Sequence, residues 1–170
     1  MRSADAHTAS FDFPEVPGWE RESPRALGYE PGFSLGYNLR SPEGPLAVTI
    51  FVYKRGLPHI PAGPSSSLVI QELDEAVAGI QELVRMEKYR SADIRARDKT
   101  TLGALPGAPE LQRVVFELSY FDGPSTPSSI LLTAAKGHFV KIRITQPGKA
   151  ADAEERALRP LLEAIGRALL

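Results

Sequence analysis

Few residues in this chain have the types and spacing that chemistry needs. The 170 residues include three histidines and no cysteine. The missing thiol removes disulfides, thiolate metal sites and cysteine nucleophiles together. His7, His59 and His138 are far apart, and none has a second ligand at a helical or zinc-ribbon spacing. Neither a metal nor another cofactor is therefore expected. His7 and His138 read as surface histidines. His59 lies in a loop beside aromatic strand ends, where it could act as a general base with a serine or carboxylate from another loop.

The serine clusters at Gly63–Ser67 and Gly123–Ser129 do not form a nucleophile elbow, which needs a strand before it and a helix after it. The first cluster precedes a helix, where Ser66 or Ser67 can cap free N–H groups, and that helix start could also hold an anion. No phosphate-binding glycine loop is present. Asp93, Asp98 and Glu117 form no pair fixed by spacing. Arg95, Arg97 and Lys99 alternate on one strand, and Lys141 and Arg143 on another. If those strands are neighbours, Arg95, Arg97, Lys141 and Arg143 make a basic stripe that could attract an anionic partner or nucleic acid. The alternative is that their aliphatic stems cover sheet surface while their charges pair with nearby carboxylates.

Composition narrows the classes further. Twenty basic residues balance 21 acidic ones, which argues against a general nucleic-acid binder. No apolar run approaches the roughly 20 residues that span a bilayer. The opening MRSADAHTAS has no apolar core, so it is not an intact signal peptide. It suits a cytoplasmic terminus or the start of an exported, periplasmic protein whose signal has been removed. A chain of this length should bury roughly 70% of its extended surface, enough for a core without staples.

The elements that must position these residues follow from periodicity. Residues 1–10 read as a flexible tail and 11–170 as one domain. Phe11, Phe13, Val16 and Trp19 form an extended, proline-bearing lead-in that plugs an end of the core, and a ragged strand follows up to Gly28. Phe33 to Leu39 alternate as a strand, in which Gly36 marks a bulge or a close approach. The turn Ser41 to Pro45 leads to Leu46–Tyr53, a central strand apolar on both sides and therefore covered on both.

Lys54 to Ser67 form a long loop with three prolines and two glycines, of the kind that often lines a site. Val69, Leu73, Ala76, Val77, Ile80 and Val84 predict a helix to about Lys88, with Tyr89 near its end. Strands follow near 92–97, 112–121, 130–135 and 139–145, with a tight turn at Lys136-Gly137. Residues 122–129 read as a flexible connection, and Gln146-Pro147-Gly148 as the end of the sheet. A last helix spans Asp152–Leu169, kinked or restarted at Pro160. The fold class is α+β: a mainly antiparallel sheet sandwiched by an internal and a C-terminal helix.

The strand pair GFSLGYNL and LAVTIFVYKRG, the helix ending LVRMEKY and the hairpin LLTAAKGHFVKIRIT together resemble the PsbP-like superfamily. These are α/β/α sandwiches that include the photosystem II extrinsic subunit P and a Ran-binding import factor. The resemblance covers Phe11 to Leu170. It implies a non-enzymatic binding or assembly factor of bacterial or plastid type, and it carries no site residue across. The expected function is a binding module for an unknown protein or small ligand, through a surface of Tyr53, Lys54, His59, Tyr89 and Phe121. The alternatives are a small hydrolase or isomerase near the 54–67 loop, and anion or nucleic-acid binding by the basic stripe.

Overall fold

Alternation along Leu46–Tyr53 builds a strand with two apolar sides, and the sheet grows outward from it. The computed structural model describes residues 11–41, 44–146 and 152–170. The expected tail with His7, positions 42–43 of the expected turn and the Pro147-Gly148 stop lie outside the described residues. In chain order the elements are β1 (Glu20–Arg21), β2 (Arg25–Ala26), β3 (Gly32–Ser41), β4 (Gly44–Tyr53), α1 (Ser67–Arg85), β5 (Ser91–Thr101), β6 (Glu110–Ser119), β7 (Thr126–Ala135), β8 (His138–Thr145) and α2 (Asp152–Ala168). The sheet order is β1-β3-β4-β8-β7-β6-β5, with β2 also on β3. Every pairing is antiparallel.

One sheet face carries Val48, Ile50 and Val52 of β4 with Val140, Ile142 and Ile144 of β8. Leu158, Leu161, Ile165 and Leu169 of α2 close it, together with Phe11, Phe13, Val16 and Trp19 of the lead-in. The prolines keep that lead-in extended, so its carbonyls need partners from elsewhere. Arg21 Nε donates to Phe13 O at 2.9 Å and the Tyr37 hydroxyl to Pro14 O at 2.6 Å. Trp19 Nε1 donates to Ala157 O at 3.1 Å, tying the lead-in to α2.

The other face carries Val114, Phe116 and Leu118 of β6 with Ile130, Leu132 and Ala134 of β7. Val69, Leu73 and Ile80 of α1 cover it. Ser66 caps α1, its hydroxyl accepting from Val69 N at 3.2 Å. The helix stops at Arg85 rather than Lys88. Glu87 adopts φ +60°, and Glu87 N and Lys88 N bond back to Val84 O and Leu83 O, a Schellman ending made without glycine.

Several expectations shift for local reasons. The ragged first strand is two short pieces, β1 and β2. β7 starts at Thr126, so half of the expected flexible connection is ladder; Pro127 is tolerated near its start. The β7–β8 turn has positive φ at both Lys136 (51°) and Gly137 (76°), as a two-residue hairpin turn requires. Gly36 marks a close approach and no bulge: its register is continuous, and the Glu22 side chain lies where a Cβ would project. α2 runs unbroken through Pro160, which is exposed, so the carbonyl of Arg156 that it leaves unpaired lies on the solvent side. His138 is buried, against the expectation of a surface histidine. Its Nδ1 lies 2.8 Å from Lys136 O, and its ring stands edge-on to Phe11 at 5.5 Å.

Candidate functional site

The chain leaves β4 in mid-sheet, crosses through the long loop and α1, and re-enters at the far edge as β5. α1 therefore packs on β5, β6 and β7. The same face of β4 and β8 keeps only partial cover: Thr49, Phe51, Lys141 and Arg143 are half-buried, whereas Val48, Ile50 and Val52 on the reverse are 0% exposed. The result is an open groove of about 400 Å³. Its floor is Thr49, Phe51, Ile130, Lys141 and Arg143, and its α1 wall is Glu72, Glu75, Ala76, Gly79, Ile80 and Leu83.

A polar cluster closes one end. Glu72 is 4% exposed. It accepts from the Tyr53 hydroxyl at 2.7 Å and from Arg55 Nε and a terminal nitrogen at 3.1 and 3.0 Å. Arg55 also lies 3.6 Å from Glu30 and stacks over the Tyr53 ring at 5.2 Å. Burial pushes the Tyr53 phenol well above its ordinary value, and the Glu72 charge adds to the shift. The hydrogen bond to Glu72 holds Arg55 firmly protonated. Arg55 and Glu72 also line a second hollow of about 240 Å³ with Leu57, Leu68 and Phe139.

Lys141 projects into the groove from mid-β8. Its Nζ lies 4.9 Å from the Phe51 ring centroid and 5.7 Å from that of Tyr53, a cation–π arrangement. Burial lowers its pKa; Glu72 opposes that shift, and Arg55 and Arg143 reinforce it. Arg143 Nε donates to Ser128 Oγ at 3.1 Å. Among the described residues neither cation has a carboxylate within 4.0 Å.

The residues singled out in the sequence do not form one surface. Tyr53, Lys54 and His59 lie at the end of the sheet where β4 finishes, whereas Tyr89 and Phe121 flank the opposite end, beside the start of β5 and the end of β6. Tyr53 is buried, Lys54 is half-buried, and Tyr89 stands edge-on to Tyr120 at 5.5 Å. Phe121 is 62% exposed. His59 is exposed and, among the described residues, has no hydrogen-bond or ion-pair partner, so no base–nucleophile pair forms there.

The basic stripe is divided, because β5 is not a neighbour of β8. Two strands stand between them, a separation of roughly 14 Å. Arg97 pairs with Asp74 of α1 at 2.5 Å, and Arg95 is exposed at the irregularity between Ile94 and Ala96. Only Lys141 and Arg143 reach the groove.

The buried carboxylate escaped the sequence reading. Its signal was present: Glu72 falls at helical spacing within the apolar stripe of Val69, Leu73, Ala76 and Ile80. A carboxylate there must find a donor on the sheet.

Among the described residues no group of His, Asp or Glu is placed to hold a metal ion, and no helix is long and apolar enough to cross a membrane. The chain matches no protein-family model and no curated protein.

Proposed function

We propose that this protein is a non-catalytic binding module whose ligand sits in the groove between α1 and the β4–β8 strip. One observation carries the reading. Lys141 is held partly out of water on two aromatic rings in an open groove, with no carboxylate partner among the described residues. Desolvating a cation without pairing it is unfavourable, which is what a site completed by its ligand looks like. The apolar surface of Phe51, Ile80, Leu83 and Ile130 and the few converging polar groups suit small-molecule recognition. The antiparallel sheet with two helices agrees with the PsbP-like resemblance, and membership of that group of binding and assembly factors belongs to this proposal.

The test is a ligand-observed NMR screen of a metabolite mixture, run on the native protein and on Gly79→Leu, which places a side chain in the groove mouth. Compounds should bind the native protein, lose their signal with Gly79→Leu, and be recovered unchanged. Turnover of a bound compound, or hits indifferent to Gly79→Leu, would overturn the reading.

A further inference from the structure

We propose that the groove takes an amphipathic monoanion, with its carboxylate between Lys141 and Arg143 and its apolar body along Phe51, Ile80, Leu83 and Ile130. The inference rests on the groove being the binding site.

The Glu72 carboxylate is occupied by Tyr53 and Arg55, and Arg55 is further engaged by Glu30. Within the groove lining Arg55 offsets Glu72, while Glu30 reaches Arg55 from outside the lining. Lys141 and Arg143 are opposed in that lining only by the exposed Glu75. The lining therefore sets Arg55, Lys141 and Arg143 against Glu72 and Glu75, one positive charge in excess, which a single negative charge would match. The two cations are two residues apart on one face of β8, roughly 7 Å between Cα atoms. That spacing lets an ammonium and the free end of a guanidinium converge on one carboxylate.

The space beside them is shaped for an apolar body. Ile80, Leu83, Ile130 and Phe51 line it. At about 400 Å³ it falls at the small end of the range of about 300–1,000 Å³ for small-molecule sites. Gly79 is the second, independent observation. A glycine inside a helix is less favourable than alanine, and close packing is the usual compensation. A Cβ built on Gly79 meets nothing within 4 Å. No packing constraint calls for glycine there, and its missing side chain leaves the groove mouth open.

The test uses 4-phenylbutyrate and its neutral isostere 4-phenylbutanamide, titrated calorimetrically into the native protein, Lys141→Met, Lys141→Arg, Arg143→Met and Gly79→Leu. Urea unfolding of each variant checks that it is folded. The native protein should bind the carboxylate at least tenfold more tightly than the amide. Lys141→Met and Arg143→Met should each lose about 10- to 100-fold, as expected for a charge-assisted hydrogen bond. Lys141→Arg should retain most of the affinity, and Gly79→Leu should abolish binding. Equal binding of carboxylate and amide, both lost in Gly79→Leu, would refute the ligand class and leave the groove as the site. Binding that Gly79→Leu does not affect, or no binding of either probe, would refute the inference. In the first of those cases the proposed function fails with it.

Discussion

The Tyr53–Glu72 hydrogen bond offers the sharpest test of how α1 is held to the sheet. Tyr53 ends β4, Glu72 lies in the second turn of α1, and both are buried. Tyr53→Phe removes a bond to a charged acceptor but leaves the carboxylate paired with Arg55. We expect a loss near the low end of the usual range, about 1.5 kcal/mol. Glu72→Leu strands the phenolic hydroxyl at a cost of about 1–3 kcal/mol. The lost Arg55 pairing adds about 0–1 kcal/mol, because that side chain is 44% exposed. In the double variant the stranded hydroxyl is gone, so its cost disappears. The two substitutions should therefore fall short of additivity by about 1.5 kcal/mol. Urea unfolding would be followed by far-UV circular dichroism and by Trp19 fluorescence. Trp19 lies on the α2 face, so coincident curves would show that the whole fold is being reported. A coupling below about 0.5 kcal/mol, the scatter expected of independent sites, would refute the reasoning.

Two further predictions follow from the groove and its surroundings. Because the folded pKa of Lys141 lies below its unfolded value, the unfolded chain holds more protons between the two, and stability rises with pH across that window. Lys141→Met should lack that rise, which urea midpoints followed upward to the ordinary lysine value of about 10.4 would measure; parallel profiles would refute the assignment. Gly79→Ala should stabilise by about 0.5–1 kcal/mol through helix propensity. Gly166→Ala should destabilise despite the same gain, because its Cβ would sit 2.9 Å from Leu102 O; thermal melts of the pair should move in opposite directions.

The architecture was legible wherever periodicity ran unbroken. Val48, Ile50 and Val52 on one side and Phe51 and Tyr53 on the other announced a strand covered on both faces, and Val69 to Ile80 announced the helix above it. Neighbours joined by a tight turn were legible, as at Lys136-Gly137, but the order of strands distant in sequence was not, because alternation says which face a residue takes and nothing about which remote strand lies beside it. The basic stripe depended on that order. Arg97 and Lys141 share a sheet face, yet β6 and β7 and the body of α1 come between them. The groove was invisible for a related reason. It exists because α1 lies toward β5–β7, and an amphipathic stripe does not say which strands it will cover. His138 misled because its burial comes from Phe11, far away in sequence.

The β4–β8 pairing also governs how the chain can reach this structure. Tyr53 and Phe139 are partners across about 85 residues of intervening chain, whose closure costs about 4 kcal/mol of loop entropy beyond a constant. The β3–β4 and β5–β8 meanders are local and can form hairpin by hairpin, whereas their junction must wait for a long search. During synthesis β4 is therefore exposed before β8 exists, with an open edge flanked by Val48, Ile50 and Val52. For that interval the future centre of the sheet is an unprotected edge, the arrangement most prone to pair with another chain.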